Sequence, residues 1–257
     1  MSSVIELKDV TVSVADYEIL RDLSVSFPEG KVTCIVGKAG SGKSTLLKTA
    51  AGLIIPDYGE VYFQGRSLAR MNKGEGLAFR KSGAFAFQDA ALWSNQSIYN
   101  NLSLPLAVHE SNLPKSESDR RVKAAAQRVG YLEGLGFRPA DLSMGEQKLI
   151  SLARALILDP QLVFLDEPTA SLDEDSVDRL IRIMLEEKAL GKSMILVSHD
   201  GRLIAETADF LCVVANGVVA GFGDVDQVSP LLGGELAKRI RTSRQHSRAI
   251  DDSPGAT

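Results

Sequence analysis

The segment GKAGSGKST, from Gly37 to Thr45, constrains the fold of this chain more than any other stretch. It fits the pattern G-x-x-x-x-G-K-[ST], in which a glycine-rich loop joins a strand to a helix and surrounds phosphate with backbone N–H groups. The preceding run, VTCIV, is apolar and β-branched, as is typical of a buried parallel strand. The sequence therefore predicts a strand, a phosphate-binding loop and a helix in that order.

The residue types in the loop indicate ATP and Mg²⁺ as ligands. Glycines let the backbone approach a dense negative charge, Lys43 supplies a positive charge toward the β- and γ-phosphates, and Ser44 can place its hydroxyl on Mg²⁺. The predicted phosphate-binding residues are Gly37, Lys38, Ala39, Gly40, Ser41, Gly42, Lys43, Ser44 and Thr45.

A second acidic motif, LVFLDE, ends a predicted strand further along the chain. Asp166 is the predicted metal-binding carboxylate, and Glu167 is the predicted general base that polarises the attacking water. His199 follows the next predicted strand, and Gln88 ends an earlier one. Because the carboxyl ends of parallel strands meet at one edge of a sheet, Gly37, Gln88, Asp166 and His199 should converge.

The periodicity predicts an α/β fold with a helical insertion. Residues 4–36 are predicted to form short strands, and strands alternate with helices again after residue 158. Between about residues 90 and 158 the strand signal disappears. There, a helix capped by Ser116 is expected to carry Val122, Ala125, Ala126 and Val129 on one face. A second helix is expected after Ser143.

The ordered set of motifs resembles the ATP-binding-cassette (ABC) ATPases over roughly residues 4 to 228. The resemblance implies a P-loop NTPase core with a mostly parallel sheet, an N-terminal antiparallel β subdomain and an inserted helical subdomain. It divides the chain into an ATPase domain at 1–228, with the helical subdomain at about 90–158, and a C-terminal extension at 229–257. The extension is expected to be partly disordered or to dock a second copy or a membrane partner.

The resemblance also assigns roles to single residues. Gln88 corresponds to the glutamine that senses Mg²⁺ and water, and His199 to the histidine that contacts the γ-phosphate. LSMGE resembles the family signature, usually Leu-Ser-Gly-Gly-Gln, so Ser143 and Gly145 are expected to bind the ATP held by a second copy. The catalytic residues implied are Lys43, Glu167 and His199, and the metal-binding residues are Ser44, Gln88 and Asp166.

Two departures from the family pattern stand out. Glu146 replaces the signature glutamine and adds a negative charge near the expected phosphate, unless its side chain points away. The position that usually stacks on adenine corresponds to Val14, and Tyr17 lies three residues later. The sequence leaves open whether Val14 or Tyr17 contacts the base.

Composition limits the partners and the compartment. The net charge of −4 over 257 residues gives no electrostatic reason to expect nucleic acid. Cys34 and Cys212 lie in apolar runs and are predicted to be buried free thiols in a reducing compartment. The N-terminus lacks signal-peptide features, and no run of about eighteen apolar residues occurs. We therefore expect a cytoplasmic protein, peripheral on the cytoplasmic face of the inner membrane, whose pore belongs to another polypeptide.

Residues 85–114 resemble the ATPases of Mce-associated lipid transporters. This implies a homodimer that energises an integral-membrane permease for phospholipid or other hydrophobic cargo, and a complex that can include an Mce-type substrate-binding protein. Leu92, Trp93, Leu104 and Leu106 are the expected exposed docking patch. The alternatives are an ABC ATPase of another transporter class and a non-transport ATPase of the iron–sulfur-assembly type, in which the signature often has glutamate.

Overall fold

Two β-sheets form the framework of the protein. The computed structural model describes residues 2–251, with side-chain surroundings through residue 245. The strands are β1 (Ser3–Val14), β2 (Tyr17–Pro28), β3 (Val32–Val36), β4 (Tyr58–Phe63), β5 (Arg66–Ser67), β6 (Gly83–Ala86), β7 (Leu162–Asp166), β8 (Ser193–Val197), β9 (Phe210–Ala215) and β10 (Val218–Asp224). The four-stranded sheet has the order β2-β1-β4-β5, and the six-stranded sheet has the order β10-β9-β3-β8-β7-β6.

The larger sheet is mostly parallel, as predicted. Strands β9, β3, β8, β7 and β6 pair in parallel, and only the edge strand β10 pairs antiparallel among the described residues. The smaller sheet is antiparallel and contains the N-terminal hairpin. The α/β fold with an antiparallel N-terminal sheet is therefore confirmed.

The helices surround and join these sheets. They are α1 (Lys43–Ala50), α2 (Lys73–Ser82), α3 (Ile98–His109), α4 (Lys115–Arg128), α5 (Met144–Leu156), α6 (Glu174–Ala189), α7 (Gly201–Thr207), α8 (Val225–Leu232) and α9 (Gly234–Asp251). Helices α3, α4 and α5 follow one another between β6 and β7 with no described strand between them, which agrees with the helical insertion expected at about 90–158.

Two hydrophobic clusters hold the layers together. One lies between the two sheets and includes Ile5, Phe27 and Leu46 of α1. The other joins the opposite face of the larger sheet to the helical insertion, where Leu102 and Val122 are fully buried. Because α1 is packed between the sheets, the loop before it is held on a rigid support.

Some local predictions were wrong. The first two strands are long, at 12 residues each, whereas the sequence predicts short strands. The register of the two strands is irregular at several points, which interrupts the alternation of apolar and polar residues along them. Ser116 does not cap α4, which begins at Lys115 directly after Pro114 and has no side-chain cap. The predicted apolar face of α4 is confirmed, with Val122 and Ala126 buried.

The described part of the C-terminal extension packs against its own cassette. Ile240 of α9 is buried, and Arg244 donates to the carbonyl oxygens of Ala205 and Ala208 near α7, at 3.4 and 3.1 Å. Docking of this extension on a second copy or a membrane partner stays a prediction. Residues 252–257, where disorder is predicted, lie outside the described residues.

Candidate nucleotide site

The predicted site residues meet at the carboxyl edge of the larger sheet. Gly37 follows β3 directly, Asp166 is the last residue of β7, and His199 lies just beyond β8. Gln88 lies two positions beyond the end of β6, so the strand stops earlier than the run SGAFAFQ suggests. Since these strands are parallel neighbours, their ends bring four separate motifs to one edge.

The phosphate loop has a shape that glycine alone can provide at two positions. Gly37 has φ of 153°, and a Cβ atom there would lie 2.1 Å from the carbonyl oxygen of Val214. Gly42, with φ of 101°, precedes α1, and a Cβ atom there would lie 3.0 Å from the carbonyl oxygen of Ile19. The loop is therefore fixed between β2 of the hairpin and the end of β9.

The loop offers unused donors, which fits an anionic ligand. The N-terminus of α1 has no side-chain cap, so its first N–H groups face the loop without an intrahelical partner. The hydroxyl of Ser41 is buried and has no hydrogen-bond partner among the described residues. Lys43 curls over the loop and donates to the carbonyl oxygen of Lys38 at 2.9 Å. Burial lowers the pKa of Lys43, whereas the carboxylates of Glu167 and Asp166 oppose that shift.

Hard oxygen donors for Mg²⁺ lie beside this loop. The hydroxyl of Ser44 donates to Oδ1 of Asp166 at 2.9 Å, and Asp166 is almost fully buried. Gln88 and Asp166 line one cavity of about 410 Å³ together with Lys48. The amide of Gln88 and the buried carboxylate of Asp166 at this cavity, with the hydroxyl of Ser44 bonded to the same carboxylate, match the oxygen ligands that Mg²⁺ prefers.

Glu167 and His199 form a close pair next to the loop. Nε2 of His199 lies 3.4 Å from Oε1 of Glu167, whose side chain is mostly buried. Burial raises the pKa of Glu167, and the nearby His199 and Lys43 oppose that shift. A buried carboxylate with a raised pKa beside the phosphate loop is suited to accept a proton from water.

The signature segment faces outward and does not join the phosphate loop of its own chain. Ser143 is exposed and caps α5, and Gly145 is the second residue of the helix. The hydroxyl of Ser143 donates to the carboxylate of Glu146 at 2.7 Å, and the backbone N–H of Ser143 donates to the same oxygen at 2.8 Å. Glu146 therefore points back to the start of its own helix in a capping box.

The base-stacking position is still unassigned. Val14 and Tyr17 face each other across the hairpin that ends β1 and begins β2, and both side chains are largely exposed. The guanidinium carbon of Arg21 lies 5.8 Å from the ring centroid of Tyr17. Which of the two contacts a base stays a prediction.

Two basic residues of α5 near the site were missed by the sequence prediction. The ammonium group of Lys148 donates to the carbonyl oxygen of Glu167 at 2.9 Å. Arg154 donates to the carbonyl oxygens of Ala90 and Ala91, just beyond Gln88. The available signal was a lysine and an arginine within an otherwise apolar stretch of an amphipathic helix, where a buried cation requires a partner.

The phosphate loop, the acidic strand end and the outward signature segment, on this pair of sheets, define an ATP-hydrolysing cassette of the P-loop class. The family model described as ABC transporter matches residues 20–170, and the chain belongs to that family as an ABC ATPase. Among the described residues, no helix combines the length and apolar character needed to cross a bilayer.

Individual relatives extend the comparison to most of the chain. The chain is 32% identical over 227 residues to the intermembrane phospholipid transport system ATP-binding protein MlaF of Haemophilus influenzae, covering 88% of this chain and 86% of that protein. It is 30% identical over 240 residues to the methionine import ATP-binding protein MetN of Clostridium acetobutylicum, covering 93% and 74%. A solved dimeric ATP-binding cassette in a post-hydrolysis state, bound to ADP and Pi, superposes with a TM-score of 0.79 at 25% identity, covering 86% and 98%.

Proposed function

We propose that two copies of this chain form a homodimer with two composite ATP sites and energise an integral-membrane permease. The dimer is inferred from the position of Ser143. This residue is exposed and has no described contact with the phosphate loop of its own chain. A signature that faces away from its own loop is placed to serve the loop of another copy. The dimeric state of the structurally similar cassette supports this arrangement.

In each site, the proposed roles follow from the geometry. The loop N–H groups and Lys43 hold the phosphates, and Glu167 accepts a proton from the attacking water. His199, beside Glu167, orients that carboxylate and reaches toward the γ-phosphate. Ser44, Asp166 and Gln88 would hold Mg²⁺, which supplies charge neutralisation at the phosphates when bound.

The proposed cargo is phospholipid or another hydrophobic molecule, carried by an Mce-type system. The similarity to a protein named for intermembrane phospholipid transport supports this cargo. The resemblance of residues 85–114 to the ATPases of Mce-associated lipid transporters supports it as well. In such a system the ATPase works on the cytoplasmic face of the inner membrane, and an Mce-type substrate-binding protein joins through the permease.

A groove between the helical insertion and the sheet supports permease docking. It has a volume of about 460 Å³ and is lined by apolar residues that include Phe85, Leu104 and Val108. Arg80 and Lys81 of α2 also line it, and Lys81 pairs with Glu110 at 3.0 Å. An apolar groove lined in part by basic side chains fits an amphipathic helix with acidic residues, presented by a membrane partner.

The expected docking patch needs one correction. Leu106 is only 2% exposed and belongs to the core, because it lies on the inner face of α3, whereas Val108 is 56% exposed. Trp93 is 54% exposed, as expected, and Leu92 is partly buried against the core. The exposed apolar surface of this region therefore contains Trp93 and Val108, with Leu104 in the groove.

The permease proposal is tested by co-purification from detergent-solubilised membranes. Val108→Asp and Trp93→Asp should each release an integral-membrane partner and leave ATP binding unchanged. Leu190→Asp is the control, since Leu190 is also exposed, at 69%, but lies at the end of α6. Retention of the partner by both the Val108→Asp and the Trp93→Asp variants would contradict the proposed surface.

The cargo is tested by identifying lipid bound to the purified complex and by loss of the gene, which should increase sensitivity to lipid-disrupting solvents. The similarity to MetN keeps another transporter class as the second candidate, and a polar small molecule in the complex would favour it. Recovery of soluble iron–sulfur scaffold proteins alone would favour a non-transport ATPase.

A further inference from the structure

Lys148 is a buried cation that the proposed mechanism does not use. It lies on α5, five residues after Ser143, and only 8% of its surface is exposed. Its ammonium group donates to the backbone carbonyl oxygen of Glu167 at 2.9 Å. The side chain thus connects the helix that begins at the signature to the main chain of the proposed general base.

The main chain of Glu167 is strained and needs to be held. Its φ of 47° lies in the left-handed region, which is uncommon for residues other than glycine. Pro168 follows it, and a residue before proline favours extended conformations. Such a conformation persists only where the surroundings determine it.

Three hydrogen bonds hold the Glu167 main chain. Its N–H donates to the carbonyl oxygen of Val197 at 2.9 Å, which ties it to β8. Its carbonyl oxygen accepts from the N–H of Ala170 at 3.3 Å and from Lys148 at 2.9 Å. The bond from Lys148 is the shorter of the two at the carbonyl and is charge-assisted, which makes it the stronger one.

The surroundings of Lys148 make a purely space-filling role costly. Burial lowers the pKa of Lys148, and the carboxylates of Glu167, Asp166 and Asp89 oppose that shift. A methionine would fill the same volume in an apolar helix face without the cost of burying a charge. The volume of the Lys148 side chain alone therefore does not explain its ammonium group at this place, whereas its hydrogen bond or its charge does.

We propose that Lys148 is a positioning residue for Glu167: its bond joins the helix that begins at the signature to the main chain of the proposed general base of the same chain. The inference rests on the proposed function of Glu167. Loss of the bond leaves Glu167 free to leave its strained conformation and lowers turnover without removing ATP binding.

The test compares the full-length variants Lys148→Met, Lys148→Arg, Glu167→Gln and the double variant Lys148→Met/Glu167→Gln. Lys148→Met should lower kcat about tenfold to hundredfold, as expected for a lost charge-assisted hydrogen bond, with KM for ATP within about twofold of the parent. Lys148→Arg should recover a substantial part of kcat, because a guanidinium can donate to the same carbonyl. Lys123→Met on α4 is the exposed control and should match the parent.

The double variant shows whether Lys148 acts on turnover through Glu167 or independently of it. In the Glu167→Gln background no general base is left to position, so adding Lys148→Met should change the residual rate by less than about twofold. An equal loss in both backgrounds would overturn the inference, as would a parent-like kcat for Lys148→Met. If Lys148→Met fails to fold, Lys148→Leu takes its place, and parent-like turnover of that variant, which has no donor at this position, excludes the proposed bond. Parent-like turnover of Glu167→Gln would instead overturn the proposed function itself.

Discussion

The hydroxyl of Ser44 donates to Oδ1 of Asp166 at 2.9 Å, across 122 positions of sequence. This contact joins the start of α1 to the end of β7 and brings together two of the three predicted metal ligands. The proposed metal site and the phosphate loop therefore share a hydrogen bond, so a substitution in one should alter the function of the other.

Removal of either partner should raise the requirement for Mg²⁺. We expect Ser44→Ala to raise the Mg²⁺ concentration for half-maximal ATP hydrolysis by about tenfold, since one oxygen ligand is lost. Asp166→Asn should reduce hydrolysis further, because the buried charge is removed. A titration of activity against free Mg²⁺ measures this, with Ser103→Ala on the helical insertion as the control. Unchanged Mg²⁺ dependence in both variants would contradict the assignment.

Lys43→Ala should abolish ATPase activity with little effect on folding. The lysine makes its described hydrogen bond to the carbonyl oxygen of Lys38 within the loop, so its loss disturbs no distant packing. We expect turnover to fall at least about a hundredfold, as for removal of a charge that stabilises a transition state. Steady-state hydrolysis and thermal unfolding are the two measurements. A folded variant with parent turnover would be incompatible with the predicted role.

Mixed dimers test whether sites are shared between copies. Lys43→Ala damages the loop and Ser143→Arg damages the signature, so a dimer of one of each holds one intact composite site and one doubly damaged site. Mixing the two inactive variants should therefore restore part of the activity, in a manner that depends on protein concentration. The idea of composite sites fails if each variant alone hydrolyses ATP at the parent rate.

Glu146→Gln should increase activity. In the structure the carboxylate of Glu146 accepts a hydrogen bond from the hydroxyl of Ser143, and its charge competes with phosphate for that donor. A neutral amide keeps the helix cap but weakens the competition, and we expect kcat/KM to rise about twofold to tenfold. Loss of the acidic residue from the first turn should lower the thermal stability slightly. A decrease in kcat/KM would instead assign Glu146 a supporting role.

The two cysteines should be unreactive in the folded protein. Cys34 and Cys212 are buried free thiols, and burial raises the pKa of Cys212 to about 12 and also raises that of Cys34. Because only the thiolate reacts, a disulfide reagent at pH 8 should label neither thiol until the protein unfolds. The thiols of the unfolded chain ionise at about pH 8.5. Keeping the thiols protonated therefore favours the folded state fully below that pH, and this contribution to stability is lost as the pH rises toward about 12, the pKa of Cys212 in the folded protein. Rapid labelling of the native protein would contradict the buried placement.

The local motifs of the sequence determined the framework of the site. Glycine at positions 37 and 42 is required by positive φ values and close backbone contacts, and such requirements are visible in a few consecutive residues. The apolar runs of β3, β7 and β8 likewise identify buried parallel strands, so the meeting of Asp166 and His199 at one sheet edge could be expected. For stacking on adenine the sequence offers two alternatives, Val14 and Tyr17, which the structure places opposite each other in the hairpin.

Tertiary structure alone decided which apolar residues are exposed to solvent and which partners the long charged side chains bind. Leu106 and Val108 are both apolar residues of α3, and only the packing of α3 against the core buries the first and exposes the second. The bond from Lys148 to Glu167 joins residues on different elements, so no local pattern specifies it. The conformation of Glu146 also depends on the helix start that it caps. Burial and charge pairing depend on neighbours that only folding brings together. The sequence therefore determined the strands, helices and loops of this site, but not the contacts that hold Glu167, the proposed general base.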